Sequence, residues 1–163
     1  MILELTWLTV VLVAVVLVAV TVVIHGVGSI YWLRFLRHRY ETDDGYWKAH
    51  AVFPALMSTA LVLLLLHVFE VFLWALLYLW LVPDVQLEGL EEAVYFSVIT
   101  FTTVGYGDIT LEPGWRLLSG IEALNGILLV GWTTALFFSV LQRAIGSPSV
   151  QVETGRRVIS HGK

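Results

Sequence analysis

Thr102-Thr103-Val104-Gly105-Tyr106-Gly107-Asp108 is the stretch on which the reading of this chain turns. Two glycines alternate there with a branched and an aromatic side chain. Glycine takes unusual φ values at no steric cost. Gly105 and Gly107 can therefore let successive backbone carbonyls face one side, while Val104 and Tyr106 project to the other and pack against the short helix that precedes them. A Gly-Tyr-Gly triplet by itself occurs in any loop, and the setting makes this one informative. A short apolar segment, 90–102, leads into it, and a long apolar run lies on either side, at 51–82 and 117–141.

Composition places these runs in a membrane. Of 163 residues, 58% are hydrophobic and only 13% charged, and the mean hydropathy is +0.85; a water-soluble domain carries about twice that share of charge. Residues 2–24 form a further apolar, valine-rich run long enough to span. It carries Glu4 in place of a basic leading region, exceeds the length of a signal core and shows no small-residue cleavage site, so it reads as a retained helix. The 51–82 run is long enough for a tilted span. Segment 90–102 is too short to cross and suits a helix that enters and returns. The polar and aromatic stretch 26–50 and the polar tail, with Ser147-Pro148-Ser149, read as connections. With no cysteine there is no disulfide and no thiolate metal site.

Charge placement predicts the orientation. Of nine Lys and Arg, Arg34, Arg37, Arg39 and Lys48 lie between the first two runs, and Arg143, Arg156, Arg157 and Lys163 follow the third. By the positive-inside rule these segments are cytoplasmic and the N-terminus is outside. Segment 82–113 then faces outward, with Asp84, Glu88, Glu91, Glu92 and Glu112 and no Lys or Arg. Tyr31, Trp32, Tyr46 and Trp47 on the inner side, and Tyr78, Trp80 and Trp115 on the outer, fit interfacial belts.

The Thr-Val-Gly-Tyr-Gly-Asp run, entered from the outer side between two spans, resembles the selectivity filter of the potassium channel pore family. The resemblance covers residues 91–126; elsewhere it rests on topology. It implies an all-α membrane fold of three transmembrane helices with a re-entrant pore helix and filter loop, assembled as a homotetramer because each chain brings one pore loop. It implies that Thr103, Val104, Gly105 and Tyr106 coordinate potassium ions, the cargo of the filter, with Gly107, Asp108, Tyr95 and Thr102 in support. No organic cofactor is expected. The organisation that follows is an N-terminal membrane helix and basic loop at 1–50, a pore domain at 51–142 and a short cytoplasmic tail at 143–163, in a plasma or inner membrane.

Several positions carry further expectations. Glu88, Glu91 and Glu92 sit where negative charge complements the pore helix dipole. Tyr95, Phe96, Ser97 and Thr100 resemble the aromatic cuff and hydroxyl positions of family members. Where some members place a carboxylate that shares a proton with the filter aspartate, this chain has Ile99, so Asp108 needs another partner, with Tyr95 and Trp115 as candidates. Gly126 lies ten residues past Arg116 and matches the family's hinge glycine, with Gly131 as a second candidate; close helix packing explains small residues there equally well. Thr102, Ile127, Val130 and Thr134 are candidates for lining a cavity.

Glu70, with His67 one turn before it, is the main departure. An ionisable residue in hydrocarbon needs a partner or a water-filled niche, and Glu122 and Asn125 are polar candidates for that partner. A pH-linked role and a structural anchor both remain open for His67, Glu70 and Glu122. A metal site from His25, His50, His67 and Glu70 is not expected, since their spacing does not converge. The first run lacks a row of arginines, so voltage sensing of that kind is not expected. Residues 31–40, with Arg34, Arg37 and Arg39, suit contact with anionic lipid, as they suit ordinary positive-inside topology.

These residues together predict a potassium-selective channel subunit. A weakly selective cation channel and a non-conducting scaffold or accessory subunit stand as alternatives. An enzyme is not expected, for no nucleophile–base pair is visible.

Overall fold

The computed structural model describes residues 7–42, 47, 49–83 and 87–146. Four α-helices make up nearly all of it: α1 (Trp7–Tyr40), α2 (Val52–Leu81), α3 (Leu90–Phe101) and α4 (Arg116–Ile145), with a single 3-10 turn at Ala49–Ala51. Extended pairing among the described residues is limited to one isolated bridge, Glu41 with Trp47. Helices α1, α2 and α4 are each long and apolar enough to cross a membrane. The protein is an all-helical membrane protein, as its composition predicts.

Valine is a weak helix former in water, yet α1 is rich in it. Inside hydrocarbon no water is available to backbone N–H and C=O groups, so a lone spanning segment must pair them within itself. That requirement overrides intrinsic propensity. The side chains these helices turn outward are apolar, among them Leu8, Val15, Val16, Leu64 and Leu65.

One boundary departs from the sequence reading. The first helix does not stop near residue 24 but continues through Gly26 and Gly28 to Tyr40. Neither glycine breaks it, because no proline follows and residues 30–37 restore good helix formers. Arg37, His38 and Arg39 fill its last turn, where positive charge favours the carbonyl end of the helix. At about 51 Å, from 1.5 Å per residue, α1 exceeds a hydrocarbon core of about 30 Å. Residues 31–40 are thus the end of a span and not a separate surface helix. Helix α4 likewise runs past residue 141, with Arg143 in its last turn, and closes at Gly146, whose N–H donates to the Gln142 carbonyl at 2.9 Å. The expected start of the first span at residue 2, Tyr46, Lys48, Asp84, Ser147-Pro148-Ser149 and the tail basic residues Arg156, Arg157 and Lys163 lie outside the described residues.

The chain divides into two compact units. One comprises Met1–His25 with Leu66–Gly131 and holds the main apolar core, built on Val10, Ala14, Trp74, Tyr78, Phe96 and Leu118. The other comprises Gly26–Leu65 with Trp132–Lys163. In it the Trp32 indole N–H donates to Thr59 Oγ1 at 3.0 Å, and Thr59 Oγ1 donates to the Ala55 carbonyl at 2.6 Å.

Candidate functional site

The 102–108 loop and the side chains that hold it lie in the first unit, around the short helix α3. Its twelve residues reach about 18 Å, half a bilayer. Glu91 and Glu92 occupy its first turn, and Glu92 reaches back to accept the Glu88 N–H at 2.5 Å. This contact ties Glu88, which precedes the N-cap Gly89, to the first turn of the helix.

Ser97 and Phe96 anchor α3 to its neighbours. The Ser97 hydroxyl, fully buried, lies 3.0 Å from the Val71 carbonyl of α2 and against the Glu122 carboxyl of α4. Tyr78 of α2 donates its hydroxyl to the same Glu122 at 2.5 Å. Its ring meets Phe96 edge-on at 5.0 Å. Glu122 is therefore satisfied by Tyr78 and Ser97 and is not the partner of Glu70. Asn125 is also turned elsewhere, donating to Thr21 Oγ1 of α1 at 2.9 Å. Helix rotation, invisible to spacing within one helix, decides these pairings.

The 102–108 loop follows at the end of α3. Thr102 caps the helix, with its N–H on the Val98 carbonyl at 3.0 Å, and the Gly105 N–H returns to Ile99 O at 3.1 Å. Positive φ then falls on alternate residues: Thr103 at 60°, Gly105 at 51° and Gly107 at 79°. Such alternation brings successive carbonyls to one side of the chain. A side chain at Gly105 or Gly107 would meet no atom within 4 Å, so backbone conformation, not space, asks for glycine there. Val104 and Tyr106, expected to pack against the helix before the loop, stand 51% and 73% exposed on the single chain.

Asp108 closes the loop. It accepts the Tyr95 hydroxyl on Oδ2 at 2.6 Å and the Ile109 N–H on Oδ1 at 3.0 Å. Of the two candidate partners for Asp108, Tyr95 makes this contact, while Trp115 packs on the apolar core. The Tyr95 hydrogen bond holds the Asp108 carboxyl below its usual range and raises the Tyr95 hydroxyl above its own. Arg116 Nε donates to the Leu111 carbonyl at 3.0 Å and fixes the return into α4.

Where α3 meets the loop there is a cavity of about 480 Å³, lined by Phe101, Thr102, Thr103, Gly126, Ile127, Val130 and Gly131. Of the residues expected to line one, Thr102, Ile127 and Val130 are present and Thr134 is not. The two glycines differ. A Cβ on Gly126 would run into the Phe101 carbonyl oxygen and stand 2.8 Å from its carbon, whereas one on Gly131 would meet nothing within 4 Å. Gly126 is a point of close helix approach.

Glu70 has two partners, both histidines. His25 Nδ1 of α1 lies 2.9 Å from Oε1, and His67 Nδ1 lies 3.0 Å from Oε2. The two imidazoles stack at 5.1 Å, and the ligand atoms of all three residues fall within 4.8 Å of one another. The expectation that these groups do not converge is thereby corrected, although His50 takes no part. What sequence spacing missed is His25, 45 positions from Glu70. Its only local signal is a polar ring at the end of a valine run.

Comparison with known families finds a match to the model described as Ion channel over residues 62–143, about half of the chain and running from within α2 almost to the end of α4. No curated protein matches the chain, and no solved structure does.

Proposed function

The chain belongs to that ion channel family, and from this premise we propose that it is a potassium-selective channel subunit that conducts as a homotetramer. The observation that carries the reading is the alternation of positive φ at Thr103, Gly105 and Gly107, in a loop held between a half-bilayer helix and a spanning helix. Thr103, Val104, Gly105 and Tyr106 offer carbonyls that replace the hydration shell of a potassium ion, and ions advance by mutual repulsion between adjacent sites. Gly107, Asp108, Tyr95 and Thr102 hold the loop in that conformation. The cavity below it receives the hydrated ion, and the carbonyl end of α3 lowers the energy of a cation there.

One chain supplies one quarter of such a ring. Val104 and Tyr106, exposed on a single chain, are the side chains a neighbouring copy would cover. Exposed Leu124, Ile127 and Leu128 of α4 suit the same assembly. The basic loop and tail face the cytoplasm and the 82–113 segment faces out, in a plasma or inner membrane. Arg34, Arg37 and Arg39 then meet the anionic leaflet, where each basic side chain contributes about 1 kcal/mol.

Reconstituted liposomes test this reading. Flux under a potassium gradient should exceed that under a sodium gradient about a hundredfold, equivalent to about 2.8 kcal/mol, and native mass spectrometry should find four chains per particle. Equal fluxes would assign a weakly selective cation channel. A monomer without flux would assign a scaffold or accessory subunit.

A further inference from the structure

The conduction reading uses neither histidine of the buried cluster, nor Glu70. We propose that His25, His67 and Glu70 form a binding site for a divalent transition ion of the zinc class, set within the membrane between α1 and α2.

The donor set selects the ion. Two imidazole nitrogens and one carboxylate oxygen suit zinc and its borderline neighbours, whereas magnesium and calcium take oxygen ligands. Three protein ligands leave a fourth position for water or another small donor. The geometry is nearly in place. An ion held tetrahedrally by bonds of about 2.0–2.1 Å spaces its ligands about 3.3 Å apart. Here both Nδ1 atoms lie 2.9 and 3.0 Å from oxygens of the same carboxylate. The two contacts fall on different oxygens, and the ligand atoms of all three residues lie within 4.8 Å of one another, so binding draws these side chains together around the ion. Each imidazole then ligates through Nδ1 as a neutral ring, with its proton on Nε2.

The scaffold is built for this. His67 and Glu70 stand three apart on α2, the i, i+3 separation of the Glu-x-x-His pairs by which helix bundles present metal ligands to their cores, here in the reverse order. His25 faces them from α1. The rotation of α1 is fixed one turn earlier, where Thr21 accepts the Asn125 amide at 2.9 Å. His25 and Glu70 are wholly buried, while the His67 side chain keeps 16% of its surface open and gives the ion an entry edge. The bound ion also opposes the negative charge of Glu70, which is costly in hydrocarbon.

The site has a direct route to the conduction path. The His67 ring meets Phe101 edge-on at 5.8 Å. Phe101 precedes Thr102, and its carbonyl abuts Gly126. Holding His67 on a metal therefore holds the residue on which the loop begins. This consequence rests on the channel reading; the site itself does not.

The test uses the full chain, purified in detergent and stripped with a chelator. Cobalt(II) is added as the probe, its four-coordinate ligand-field absorption is read, and zinc then displaces it for counting per chain. One ion per chain is expected, unaffected by excess magnesium. His67→Ala, at the partly open ligand, and Glu70→Gln should each weaken binding about a hundredfold. His38→Ala, exposed near the end of α1, should leave it unchanged. Far-ultraviolet circular dichroism and elution volume establish that the variants remain folded. No saturable ion, or equal affinity in wild type and His67→Ala, overturns the proposal. Since the readout is metal occupancy, a chain that binds cobalt but carries no potassium refutes the channel reading and leaves the metal site standing.

Discussion

Gly126 and Gly131 lie five residues apart on α4, and alanine at each should act in opposite directions. Alanine is favoured over glycine in a helix by about 0.8–1.0 kcal/mol. At Gly131 a methyl group meets nothing within 4 Å, so Gly131→Ala should stabilise the chain by about 1 kcal/mol. At Gly126 the methyl group meets the Phe101 carbonyl, a main-chain atom that cannot rotate away. Overpacking costs about 1–3 kcal/mol, and the rigid obstacle places this case near the top of that range. Set against the propensity gain, Gly126→Ala should destabilise by about 2 kcal/mol, with strain passed directly to the residue before Thr102. Thermal unfolding in detergent reads the difference. At about 2–4 °C per kcal/mol for chains of this size, Gly131→Ala should melt a few degrees above wild type, and Gly126→Ala several degrees below it with reduced potassium flux. A Gly126→Ala protein as stable as wild type, with unchanged flux, would refute the close-approach account. Loss of flux in both variants without loss of stability would instead mark flexibility of α4 as the reason for glycine.

Three further outcomes follow from the same contacts. Gly105→Ala places a side chain at φ 51°, so selective flux should disappear while membrane insertion persists; selective current from this variant would remove the loop from the conduction path. Ser97→Ala strips a buried hydroxyl from the Val71 carbonyl and Glu122, and should cost about 1–3 kcal/mol, read as a lower melting temperature; no change would mean α3 is held by its apolar contacts alone. Asp108 titrates below its ordinary range because Tyr95 donates to its ionised form. The contact is therefore in force above the ordinary aspartate pKa and is lost as pH falls through the lowered one. Tyr95→Phe should move the acid limb of the flux–pH curve to higher pH, and superimposable curves would show that the contact does not govern the loop.

The architecture was legible because a membrane imposes few solutions. Runs such as 51–82 and 117–141 could only be spanning helices, and the 90–102 segment was too short to cross. The end of α1 was misread because polar residues after His25 look like a loop when, in fact, basic residues there suit the end of a helix that outruns the bilayer. The Thr102–Asp108 stretch was recognisable because its glycines stand where the backbone takes positive φ. The pairings of Glu70 with His25 and of Glu122 with Tyr78 were not recoverable, because each of these partners lies on another helix, at separations of 45 and 44. Which face of α1 or α4 turns inward follows from packing, not from the order of residues. Within α2, where three-residue spacing does encode proximity, the His67–Glu70 pair was visible.

The most direct test of potassium selectivity is a reversal potential, measured on purified protein in a planar bilayer with potassium on one side and sodium on the other. At about 59 mV per tenfold for a monovalent ion, hundredfold preference for potassium predicts a reversal near 118 mV toward the potassium equilibrium. A reversal near zero, with measurable current, would contradict the account of the loop as a potassium-selective carbonyl ladder.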